Sequence, residues 1–127
     1  MKKVENFTSI ALKELGMRGS QIYEILPKDT EAEISLYDII IVDRKDQKRL
    51  AKLTTCDKQI IIDIINDFGI LSWDGFHGKH PKGVLDGIMF DFNAVIDDKT
   101  IQADGSENFP KNYKEFRHKI QEILWGK

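Results

Sequence analysis

The sequence predicts an α+β domain in which an antiparallel β-sheet, an N-terminal meander plus a C-terminal hairpin, packs against two α-helices. Three patterns carry that expectation. Residues 84–96 alternate, with Val84, Ile88, Phe90, Phe92, Ala94 and Ile96 on one parity and Asp91 and Asn93 on the other, as a strand with one buried face requires. Two further segments space their apolar residues as helices do, over 57–68 and 110–124.

In chain order, Phe7, Ile10, Ala11 and Leu15 with Gly16 behind them have the spacing of a short helix. Residues 21–26 look extended and end at Pro27. Residues 36–42 are apolar on both parities except at Asp38, which suits a strand covered on both faces or one interrupted by a bulge. Residues 48–54 pair back on it, and the charge-alternating stretch from Asp43 to Arg49 reads as a solvated turn.

Ile60, Ile61, Ile64, Ile65 and Phe68 then make one stripe of a helix over 57–68, with Thr55 or Cys56 at its cap, Asp57 in its first turn and Gly69 at its end. Its β-branched residues lower intrinsic helicity, so packing must supply the stability. The hairpin runs over 85–103, with Asp97-Asp98-Lys99 as its turn and residues 100–103 returning. Pro110 suits the first position of the last helix, whose buried stripe is Tyr113, Phe116, Ile120, Ile123 and Leu124.

A chain of 127 residues fits one domain, 1–127, large enough to hold a core without metal or disulfide. Hydrophobic residues are 41% and charged residues 31%, a globular balance. The formal charge of −2 lacks the cation excess that nucleic-acid or anionic-membrane binding needs. No apolar run approaches the roughly 20 residues of a membrane span, and the basic start at Lys2-Lys3 has no apolar stretch behind it. The one cysteine, Cys56, closes no disulfide and reads as a small buried hydrophobe. A reducing, cytoplasmic setting fits.

Signatures for phosphate loops, dinucleotide binding, nucleophile elbows and zinc proteases are absent, so neither cofactor nor metal is expected. Asp67-Phe68-Gly69 matches a kinase magnesium tripeptide without any of its companions and reads as a helix end. Chemistry has one candidate home, the Gly-rich connection over 69–87. Trp73 and Phe76 there either peg the loop to the core or form an exposed contact patch. His77 and His80, three apart with Asp74 and Asp86 near in sequence, offer metal-ligand types at no established spacing. Three Asp-Gly pairs, at 74, 86 and 104, read as turns. Asp86 falls on the apolar parity of its strand, so it either accepts backbone N–H groups or serves as an acid.

Trp73-x-Gly75-Phe76, Leu85-Asp86-Gly87, the aromatic Phe90, Gly105-Ser106-x-Asn108-Phe109-Pro110, Tyr113 and Phe116 together resemble a family of small bacterial domains with no established function. The likeness covers about residues 57–124 in motif order; Phe90 stands where the family has Trp, and Glu107 is an extra residue before Asn108. The resemblance implies antiparallel strands leading into each helix, and it turns residues 7–15 from helix to strand. It supplies no activity.

The expected function is therefore a non-enzymatic protein-interaction module, of an antitoxin or immunity kind, with a protein partner and with Trp73, Phe76, His77, His80 and Asp86 as binding candidates. The alternative is a small ligand- or metal-binding domain, or a hydrolase, that uses the loop from Trp73 to Asp86.

Overall fold

The computed structural model describes residues 3–16, 19–83 and 87–126. Its seven strands are β1 (Phe7–Gly16), β2 (Gly19–Lys28), β3 (Glu31–Val42), β4 (Lys45–Asp57), β5 (His77–Gly78), β6 (Met89–Ile96) and β7 (Lys99–Ser106), and its helices are α1 (Lys58–Asp67) and α2 (Tyr113–Trp125). The strands form one sheet in the order β4-β3-β2-β1-β6-β7-β5, antiparallel except where β5 runs parallel to β7. This is the expected α+β architecture, with the meander supplying β1 to β4 and the hairpin β6 and β7.

Both helices pack on one face. Ile10, Leu12, Tyr23, Ile25, Ile34, Phe92, Ala94 and Ile101 point into the core there, where they meet Ile61, Ile64 and Ile65 of α1 and Phe116, Ile120 and Leu124 of α2. Ile62 is also buried, whereas Ile60 of the expected stripe stays exposed. Asp57 is the cap of α1 and not a first-turn residue: its side chain accepts from Gln59 N at 2.9 Å. Gly69, at φ 63°, takes the left-handed turn after the helix.

Residues 7–16 are a strand, as the resemblance implies, and the helical spacing has a structural cause. The register of β1 on β6 slips between Phe7 and Ser9, so Thr8 is an extra residue. The bulge brings Phe7 and Ile10, three apart, onto the same buried face. A second slip lies between Leu36 and Tyr37 against β4, where Ala51 is the extra residue. It sets Leu50 and Leu53 on one face. The extra residue lies in β4, and β3 pairs with β2 without a slip, so residues 36–42 are neither bulged nor covered on both faces: Ile41 and Val42 are exposed.

Four other expectations are corrected. Only Asp43 and Arg44 form the turn between β3 and β4, both at positive φ (51° and 64°), and Lys45 to Arg49 already pair with β3. The hairpin strand begins at Met89, so Ile88 is exposed outside it; Val84 and Leu85 lie outside the described residues. Asp104-Gly105 is no turn but sits inside β7, opposite Asp91 and Phe90. Pro110 precedes α2 by a turn, its carbonyl accepting from Tyr113 N at 3.2 Å.

Candidate functional site

The connection between α1 and β6 closes onto the core. A short 3-10 turn, Ile70–Trp73, inserts the indole of Trp73 between sheet and α2, 1% exposed. Its ring meets Phe92 at 5.0 Å and Phe116 at 5.5 Å between centroids, and its Nε1–H donates to Lys111 O at 2.9 Å. Phe76 is partly buried against Phe90, which also meets Phe109 and Tyr113. The exposed-patch reading of Trp73 is thereby corrected; large aromatics that can bury both area and a polar tip belong in such a place. The residues that carry the family resemblance, Trp73, Phe76, Phe90, Phe109, Tyr113 and Phe116, form one aromatic cluster. Glu107, the extra residue, takes φ 50°, donates its N–H to Ile88 O at 2.9 Å and accepts from Ile88 N at 2.8 Å.

The histidines do not converge. His77 Nδ1 bonds Asp104 Oδ1 at 3.0 Å, and His80 Nδ1 bonds Ser106 Oγ at 2.7 Å, so each ties the loop to β7. Asp74-Gly75 is a turn, with Gly75 at φ 83°, but the Asp74 side chain does not cap it: Oδ1 accepts from Gln102 N of β7 at 3.0 Å. Among the described residues no group of three or more His, Cys, Asp or Glu could hold a metal ion. Asp86 lies outside the described residues. Burial, then Asp57 and Glu31, push the Cys56 thiol up, which favours the unreactive thiol.

The polar centre of the molecule is elsewhere. Glu14, on the inward parity of β1 after Ile10 and Leu12, is 6% exposed. Arg117 Nε donates to Glu14 Oε1 at 2.8 Å, and the Tyr113 hydroxyl donates to Glu14 Oε2. Burial, reinforced by the charge of Glu14, pushes the Tyr113 phenol far above its ordinary value. Burial works against the charge of Arg117, but the hydrogen bond and charge of Glu14 outweigh it, and the guanidinium stays above its usual value. Beyond this triad the floor of the sheet continues as Gln21, Asp38 and Arg49, one per strand, and a cleft of about 640 Å³ lies over it. Neither Glu14 nor Arg117 stood out in sequence, because a charged residue in a strand or on a helix is locally ordinary. The one available signal was a glutamate on the buried parity of residues 7–16, hidden by the bulge.

Among the described residues no helix packs on the other face of the sheet. Register places Leu50, Tyr37 and Ile22 side by side across β4, β3 and β2, and Ile39, Ser20, Leu15 and Met89 in the next row across β3, β2, β1 and β6. Leu26, Ile41 and Leu53 project from this face too, and with Leu50 and Met89 they stay exposed, Ile41 at 75%. Around them Lys48 bonds Glu24 at 3.0 Å while lying over the Tyr37 ring. No helix among the described residues is long and apolar enough to cross a membrane. Comparison of the chain with protein-family models, curated proteins and solved structures gives no match.

Proposed function

We propose that this chain is a non-enzymatic protein-interaction module whose partner covers the open face of the sheet. One observation carries the reading: exposed aliphatic side chains gather on that face, with Leu26, Ile41, Leu50, Leu53 and Met89 all projecting from it. Single exposed hydrophobics need no explanation, but several on one uncovered sheet face, crossed by the Lys48–Glu24 pair over Tyr37, support a contact surface. The bulge at Ala51 supports the same reading, since without it Leu53 would turn away from Leu50.

The partner is a protein with an apolar centre to its own surface, because a flat sheet face offers area and few converging polar groups. The long edge of β4 is a poor docking strand: Lys45, Lys48, Arg49, Lys52 and the bulge are the devices that keep an edge from pairing. The test is a cross-linked pull-down with the parent chain and an Ile41→Asp/Leu50→Asp variant. Both positions are exposed, so the variant keeps its melting temperature. A protein captured by the parent and lost by the variant is the expected result. Identical capture by both would remove the open face from the reading.

A further inference from the structure

Two hollows meet at Arg117. The cleft of about 640 Å³ and a neighbouring one of about 540 Å³ both border Glu14, Ile88, Glu107 and Arg117. A guanidinium has five N–H donors; in Arg117 Nε–H goes to Glu14 Oε1, the Tyr23 hydroxyl also bonds the group, and Glu14 holds none of the others. The Arg117 side chain is 35% exposed, against 8% for Glu14. The buried carboxylate thus fixes the plane of a half-exposed fork with Nη donors left for whatever enters. Such an arginine has already lost much of the rotamer freedom that binding would otherwise remove.

We infer that Arg117 anchors a carboxylate-bearing ligand in this cleft, with Glu14 as its positioning residue. Two Nη–H groups donate to the two oxygens of the ligand, and its body lies against Ile88 and Ile40. The floor has room for it: a Cβ built on Gly19 would meet nothing within 4 Å among the described residues. Charge selects the ligand. Among the described residues three carboxylates, Glu14, Asp38 and Glu107, border the cleft against the two guanidiniums of Arg49 and Arg117, a balance that repels a dianion more than a monoanion. A carboxylate is preferred to phosphate on that ground. Arg117 stands on the helix-covered side, although Ser20 and Ile39 of the open face also border the cleft, and the inference does not rest on the surface proposed above.

The experiment follows the arginine Nε–H resonances of the whole chain during titration, at matched ionic strength and at a mildly alkaline pH where phosphate is mainly the dianion, with the monoanion butyrate, with the blocked tripeptide acetyl-Ala-Glu-Ala-amide and with inorganic phosphate. A saturable shift of the Arg117 signal with either carboxylate, about tenfold weaker with phosphate, is expected. Response to butyrate alone identifies a free small acid, and response to the tripeptide identifies an acidic side chain of a polypeptide. Arg117→Lys keeps a cation beside Glu14 while removing the fork, and should weaken binding about tenfold in a folded chain, as measured by titration calorimetry on parent and variant because the variant has no Arg117 signal. The inference is overturned by an Arg117 signal that never saturates, by phosphate acting as well as the carboxylates, or by Arg117→Lys binding unchanged.

Discussion

Arg117 Nε reaches Glu14 Oε1 at 2.8 Å across 103 positions of sequence, joining α2 to the buried face of β1. The Tyr113 hydroxyl completes the shell of the carboxylate from one turn earlier on the same helix. Residues at i and i+4 share a helix face, so one helix supplies both donors. The pair orients α2 on the sheet, and it makes the end of the core near the cleft polar.

Removing one partner strands the other. Arg117→Ala should cost about 3 kcal/mol, the lower end for breaking a buried pair, since water reaches the guanidinium. Glu14→Leu/Arg117→Met should cost markedly less than Arg117→Ala, because no unpaired charge remains. Urea melts of the two variants check the order, and equal losses would show that the pair is not energetically coupled.

Alkaline pH should undo the fold through Tyr113. Its phenol is raised in the folded chain above the ordinary 10.0, so the unfolded chain loses that proton first. The stability from this group is complete below about pH 10 and falls as pH rises through the folded value. Tyr23, also raised by burial, adds to the same limb. Tyr113→Phe should lower stability at neutral pH by about 1–3 kcal/mol, through the lost hydrogen bond to Glu14, and flatten the decline above about pH 10. Equilibrium unfolding between neutral and alkaline pH measures both.

Trp73 is a core residue, and its substitution should be read as a stability change. Trp73→Ala should cost about 3–5 kcal/mol. Trp73→Phe keeps an aromatic in contact with Phe92 and Phe116 but strands Lys111 O, for a smaller loss of about 1–3 kcal/mol. Thermal or denaturant unfolding checks the ranking. A Trp73 variant is for this reason a poor probe of partner binding.

Gly105 is required by contact, without positive φ. A Cβ there would lie 2.2 Å from Asn108 O and 2.7 Å from Phe90 Cε1, so Gly105→Ala must move backbone or the aromatic cluster. A loss above about 2 kcal/mol is expected, in the upper part of the overpacking range. Asp57→Ala, which removes the α1 cap, should cost only about 1 kcal/mol. Their comparison by denaturant unfolding checks the contact.

Local signals were dependable where they concern a segment and its own neighbours. The alternation ending at Ile96, the Ile61/Ile64/Ile65 stripe and the Phe116/Ile120/Leu124 stripe each describe one element against one core, and each was readable. They failed where pairing changed the period. A bulge at Thr8 gives a strand the three-residue spacing of a helix, and Asp104-Gly105 has turn chemistry yet is held straight by its partner β6. The aromatics and glycines of the loop over 69–87 set it apart in the sequence. Its Trp73 serves packing, and its His77 and His80 tie the loop to β7 separately.

From the sequence by itself follow the class of the fold, its two helices and its hairpin, because burying apolar faces demands those periodicities. Only the tertiary structure decided that Glu14, Tyr113 and Arg117 meet, that one sheet face stays open, and that Trp73 is inside. Those outcomes depend on strand register and on which face the helices cover. Register is a relation between segments far apart in the chain, and a shift of one residue, such as each bulge supplies, reverses every side chain beyond it.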